Sequence, residues 1–227
     1  MLRLLAVALF AAPAVAADPV VPFDGKGFTG WTFKDPKKSQ WTTGIAKIDA
    51  GTPAEFAPPA PVGPGTPLEL VNRKSGCDIF TEQKFGDCVI ELEFMVPKGS
   101  NSGVYVMGEY EVQILDSFGK ADDKLTQGDL GALYSAAAPK KNFAKKPGEW
   151  QSFAIDFTAP TFDGDKKTAN AKFVKVTLNG QVLHENVEMK QQTPGGLTGK
   201  EAATGPLMFQ GDHGPVTFRE IKVTPKK

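Results

Sequence analysis

The sequence predicts an all-β fold in which two antiparallel sheets pack face to face as a jelly-roll sandwich. Three observations carry that prediction. Short β-branched and aromatic runs recur at regular spacing, with polar residues alternating between the apolar ones. The 24 glycines, 18 prolines and 16 phenylalanines suit many short strands joined by turns. Asn179-Gly180 lies between two alternating runs and supplies the two positive-φ residues of a type I′ hairpin turn.

Reading from the N-terminus, one positive charge, a short apolar run and the small-x-small ending Ala14-Val15-Ala16 have the layout of a secretory signal over residues 1–17. The remainder, 18–227, reads as one exported domain, periplasmic or extracellular, and no later segment has the roughly twenty apolar residues of a membrane span. In the 227-residue chain, 26 Lys and Arg balance 26 Asp and Glu, so no net field favours nucleic acid or another polyanion. An exported context makes a disulfide between Cys77 and Cys88 the expected pairing, whereas two thiolates with no nearby histidine fall short of a zinc ligand set.

Residues 21–33 combine glycines with Phe23, Phe28, Trp31 and Phe33, a loop too aromatic to leave in water and read as a clasp. Six prolines within 51–67 exclude a sheet interior and predict an exposed loop. Three strands follow over 68–71, 77–83 and 87–96. In the last, Cys88, Ile90, Leu92, Phe94 and Val96 share one face, and Glu91 and Glu93 the other.

The stretch Gly99–Gly119 reads as a strand, a tight turn at Gly108 and a second strand. Its alternation sends Tyr110, Val112 and Ile114 to the core and Glu109, Glu111 and Gln113 to the opposite face, where Glu91 and Glu93 are expected to join them. Such a row suits sugar hydroxyls or a cation, although solvated strand exteriors also carry Glu and Gln. Further along, Gly131–Tyr134 predicts a short strand that offers Tyr134 as a stacking platform. The basic run 140–146 reads as a solvated loop, and a strand follows over 149–157. His184, in the Asn179-Gly180 hairpin, reads as structural or solvent-exposed. Gln210, Asp212 and His213 sit in a glycine-flanked loop, which makes His213 the histidine suited to a site. In the last strand, 216–224, the apolar side switches between Phe218 and Ile221, which requires a bulge.

Several pieces, in order along almost the whole of 18–227, resemble one family. They are Phe23-Asp-Gly-Lys-Gly-Phe-Thr-Gly-Trp31, Glu91-Leu-Glu-Phe94, Asn101-Ser-Gly-Val-Tyr105, Glu111-Val-Gln-Ile-Leu-Asp116, Gly131-Ala-Leu-Tyr134, Pro147-Gly-Glu-Trp150 and Gln210-Gly-Asp-His-Gly214 with Phe218-Arg219. The family is that of 3-keto-disaccharide hydrolases and 3-keto-glucoside-1,2-lyase/hydratases, once a domain of unknown function. The resemblance implies a concanavalin A-like jelly roll acting on a sugar ligand. A ketone at C3 acidifies the C2 hydrogen, so a base removes it and the C1 substituent leaves. Glu111, Glu93 and His213 are the residues suited to base catalysis. Gln113, Asn101, Tyr105, Tyr134, Gln210 and Arg219 are suited to holding the sugar, and a divalent metal on Glu111 and His213 could polarise the ketone. Because fold does not fix function, a non-catalytic, lectin-like carbohydrate-binding module is the competing reading.

Overall fold

The computed structural model describes residues 17–226, so the expected export segment falls, apart from Ala17, outside the described residues. Fourteen strands follow one another. They are β1 (Trp31–Phe33), β2 (Trp41–Gly44), β3 (Glu69–Asn72), β4 (Ile79–Phe85), β5 (Cys88–Met95), β6 (Asn101–Val106) and β7 (Tyr110–Leu115), then β8 (Gln151–Thr158), β9 (Thr161–Asp163), β10 (Lys166–Ala169), β11 (Ala171–Leu178), β12 (Gln181–Met189), β13 (Gly205–Phe209) and β14 (Val216–Pro225). A seven-stranded sheet runs β12-β11-β8-β5-β14-β3-β2, a five-stranded sheet runs β1-β4-β13-β6-β7, and β9 and β10 form a separate hairpin. The strands of both sheets pair antiparallel, as expected for a jelly-roll sandwich.

Alternation decides what each sheet buries. Ile90, Leu92 and Phe94 of β5 enter the core between the sheets, as do Tyr110, Val112 and Ile114 of β7. Aromatic rings join the layers: Trp31 lies 5.4 Å from Phe209, Phe209 stacks on Phe218 at 3.8 Å, and Phe218 faces Trp41 at 6.3 Å. The expected turn is present, with positive φ at Asn179 (53°) and Gly180 (76°). So is the bulge in β14, where the pairing with β5 shifts between Arg219 and Lys222 and Glu220 takes φ 50°. That extra residue lets Phe218 and Ile221 both point inward. The proline-rich loop is mostly exposed, but Phe56 is buried in a small cluster with Val71 and Met95, against which Trp150 packs. The clasp contributes an edge strand, β1, and the hairpin β9–β10 has no counterpart in the sequence reading.

The expected disulfide is absent. Cys77 and Cys88 are both free and buried. Cys77 precedes β4, whose length at about 3.3 Å per residue carries the chain roughly 25 Å before it turns into β5 at Cys88. A disulfide tolerates Cα atoms only up to about 7 Å apart. Burial pushes both thiols up, Cys88 to about 12.

Candidate functional site

On the outer face of the five-stranded sheet, β6 and β7 pair in a register that sets Tyr105 opposite Glu111 and Gly103 opposite Gln113. The residues between these, Val104 and Val112, are in the core, so Asn101, Tyr105, Glu111 and Gln113 project together from the other side. They line a cavity of about 190 Å³, completed by Tyr134, Pro194, Gly195, Gln210 and His213. Seven residues that the sequence marked for sugar binding or catalysis therefore meet there.

The surrounding segments are held by specific bonds. Gly131–Tyr134 attaches to the free edge of β7: the Gly131 N–H donates to Gln113 O, and the Tyr134 N–H to Glu111 O. The loop after β13 is fixed from below. The Gly211 N–H donates to the buried Asp78 carboxylate, and Asn72 Nδ2 donates to the carbonyls of Gly211 and Gly214. A Cβ at Gly211 would overlap the Cys77 backbone, so this glycine lets the loop that carries Gln210 and His213 lie flat on the sheet edge. His184 is structural: buried, with Nε2 2.9 Å from Gly131 O and its basicity lowered by burial.

Glu111 is 2 % exposed. Burial pushes its carboxyl up to about 8. The Tyr105 hydroxyl partly offsets that rise, and the Asp78 and Asp212 carboxylates add to it. Burial, with the charge of Glu111, also raises Tyr105 well above the usual phenol range. The Tyr105 hydroxyl donates to Pro194 O (3.2 Å), and Gln210 Nε2 reaches the same hydroxyl at 3.4 Å. Gln113 Oε1 accepts from the Ile114 N–H (3.0 Å), which leaves Gln113 Nε2 as the donor it can offer a ligand. His213 Nδ1 is 2.5 Å from Asp212 Oδ1, leaving Nε2 free to engage a ligand.

Gly103 has a part the sequence did not reveal. A Cβ there would overlap the Glu111 carboxyl group, so the glycine of Asn101-Ser-Gly103 makes room for the side chain that reaches it diagonally across the strand pair. Gly103→Ala is expected to leave the fold intact but push that carboxyl aside, lowering kcat/KM by about 10²-fold. Steady-state kinetics set beside the thermal midpoint check this, since a mainly structural role would lower the midpoint and spare the activity of the folded fraction.

Two expected members lie elsewhere. Glu93 and Arg219 project from the outer face of the seven-stranded sheet, on the opposite side of the sandwich, where Arg219 Nε pairs with Glu93 Oε2 (2.6 Å) and the guanidinium lies 3.9 Å over Trp150. Glu91 pairs with Lys222 on the same face. The alternation correctly separated inward from outward residues, but β5 joined the other sheet. The sequence reading also missed Pro194 and Gly195, whose only signal was a glycine-rich loop.

For a metal, the cavity offers Glu111 and His213, one carboxylate and one imidazole. Among the described residues no group of three or more His, Cys, Asp or Glu is placed to hold an ion, and catalytic zinc sites use three protein ligands. One carboxylate and one imidazole fall short of that zinc ligand set. Among the described residues, no helix is long and apolar enough to cross a membrane.

The model of a family described as the 3-keto-alpha-glucoside-1,2-lyase-like domain matches residues 18–224. The chain belongs to this family. It is 26% identical over 170 residues to a 3-keto-disaccharide hydrolase of Bacteroides thetaiotaomicron, a match covering 63% of the chain and 53% of that relative. It thus spans about half the relative's length. A solved structure from Parabacteroides distasonis, provisionally titled a glycosyl hydrolase, is 25% identical with a TM-score of 0.66, over 96% of this chain and 94% of that one. A second from the same organism, similarly titled, is 18% identical with a TM-score of 0.59, covering 92% and 94% of the two chains, and attests to the fold.

Proposed function

We propose that the chain cleaves 3-keto-glycosides by removing the C2 proton and expelling the C1 substituent, with Glu111 as the base. One observation carries this reading: the cavity encloses a single buried carboxyl group whose proton affinity is raised to about 8, set among neutral hydrogen-bond donors. Direct glycoside hydrolysis ordinarily takes two carboxyl groups flanking the scissile bond. Elimination next to a ketone takes one base and a group that stabilises the enolate. The names of the family and of the Bacteroides relative point to the same substrate class.

Mechanism follows from the positions. Ionised Glu111 takes the C2 proton, and the electron pair moves onto the C3 oxygen as an enolate. Gln113 Nε2 is the donor suited to that oxygen. As the ketone re-forms, C1=C2 forms and the C1–O bond breaks, and His213, oriented by Asp212, is placed to pass a proton to the leaving alcohol. The products are a 1,2-unsaturated 3-keto sugar and an alcohol. Water adding at C1, with C2 reprotonated by Glu111 after its acid proton has exchanged with solvent, gives the hydrolysis product. Asn101, Gln210 and Tyr134 bind and orient the ring. At about 190 Å³ the cavity is smaller than the roughly 300–1,000 Å³ of drug-sized pockets, in keeping with one sugar ring. Export is part of the proposal and rests on residues 1–17.

A panel of glycosides with and without the 3-keto group tests the reading. Turnover is expected of the ketones alone, and chelator should leave it unchanged. Equal turnover of the parent glycosides would overturn the proposal, as would binding of the ketones without cleavage, the behaviour of a binding module.

A further inference from the structure

Glu109 lies in the turn just before β7 and Glu111 within the strand, and the chemistry above uses only one of them. Glu109 is 4 % exposed and lies outside the cavity lining. Its carboxylate is occupied by one loop: Oε1 accepts from the Thr198 N–H (2.8 Å) and hydroxyl (2.7 Å), and Oε2 accepts from the Gly199 N–H (3.1 Å). The backbone there is stitched to the same loop. Glu109 O accepts from Thr193 N–H and hydroxyl, and that hydroxyl accepts from the Glu111 N–H. Between these anchors Pro194 and Gly195 form a wall of the cavity, and Pro194 O takes the Tyr105 hydroxyl.

The loop sequence is fitted to this arrangement. A Cβ at Gly196 would overlap the Glu109 carboxylate, and one at Gly195 would press within 2.8 Å of the Tyr105 hydroxyl. A charged acceptor serving three donors at 4 % exposure is a strong, directional anchor.

We infer that Glu109 is a positioning residue for the site: its carboxylate latches the 193–199 loop so that Pro194 and Gly195 close over the sugar and hold Tyr105 in place. This deepens the proposed reaction and rests on it for its kinetic consequences, while the latch itself can be observed without turnover.

The test compares Glu109→Gln with Gly196→Ala, which attacks the same contact from the loop side and leaves the carboxylate in place. Both should raise KM for a 3-keto-glycoside by about 10- to 100-fold, change kcat by less than about 3-fold and keep the inflection of the pH profile near 8. Amide hydrogen exchange in the unliganded protein should accelerate at 193–199, with the core strands unchanged. The double variant should be little worse than either single one. Loss of kcat at unchanged KM would give Glu109 a chemical role and overturn the latch, and so would unchanged exchange at 193–199 in both variants. Should the wild-type protein turn over no ketone, the proposed reaction fails, and the exchange measurement alone decides the latch.

Discussion

Glu111→Gln is expected to lower kcat on a 3-keto-glycoside by about 10³-fold or more while moving KM by less than about 3-fold. The amide keeps the size and most of the hydrogen bonding of the carboxyl group but cannot accept the C2 proton, and a positioned base contributes roughly 10²–10⁴-fold. The pH profile should change with it. With its proton affinity raised to about 8, the wild-type base is mostly protonated at neutral pH. Its kcat/KM should therefore climb about tenfold per pH unit up to roughly pH 8 and then level off, a rise missing from the variant. Stability should move the other way. A carboxyl group raised in the fold from 4.5 to about 8 stabilises below pH 4.5, and that contribution is lost as pH rises through 8. The variant, which never ionises there, should melt above wild type at pH 9 by at least roughly 2 °C, and by less at pH 5.

Phe218→Ala should give the largest loss of stability. This ring, fully buried in β14, stacks on Phe209 of the opposite sheet at 3.8 Å and faces Trp41 at 6.3 Å, so it joins the two layers. Removing a buried phenylalanine ring costs about 3–5 kcal/mol, part of it lost transfer energy and part the cavity left behind. Chemical denaturation should report that loss through a lower midpoint at nearly unchanged slope. A loss under about 1 kcal/mol would mean that the sheets close over the gap and that the ring does not join them.

Both residues could be picked from the sequence, because strand alternation is a local property. Asn179-Gly180 specified its hairpin through backbone conformation, and the shifted apolar pattern around Phe218 and Ile221 required the bulge seen at Glu220. The cavity was equally legible wherever its members share a hairpin, as Asn101, Tyr105, Glu111 and Gln113 do. Alternation does not say which sheet a strand joins. Glu93 was expected beside Glu111 and instead pairs with Arg219 on the far side of the sandwich. Nor does sequence spacing measure distance: Cys77 and Cys88 are eleven positions apart, but a whole strand, β4, lies between them. The role of Gly103 and the wall at Pro194 and Gly195 came from contacts between distant segments, and a glycine in a loop does not announce its neighbour.

The central claim is that Glu111 takes the C2 proton. A 3-keto-glycoside carrying deuterium at C2, turned over in ordinary water with an uncatalysed exchange control, tests it most directly. The account predicts a primary isotope effect on kcat/KM, replacement of the deuterium by hydrogen in the hydrolysis product, and loss of enzyme-catalysed exchange in Glu111→Gln. Cleavage that retains the deuterium at C2 and shows no primary isotope effect would contradict it.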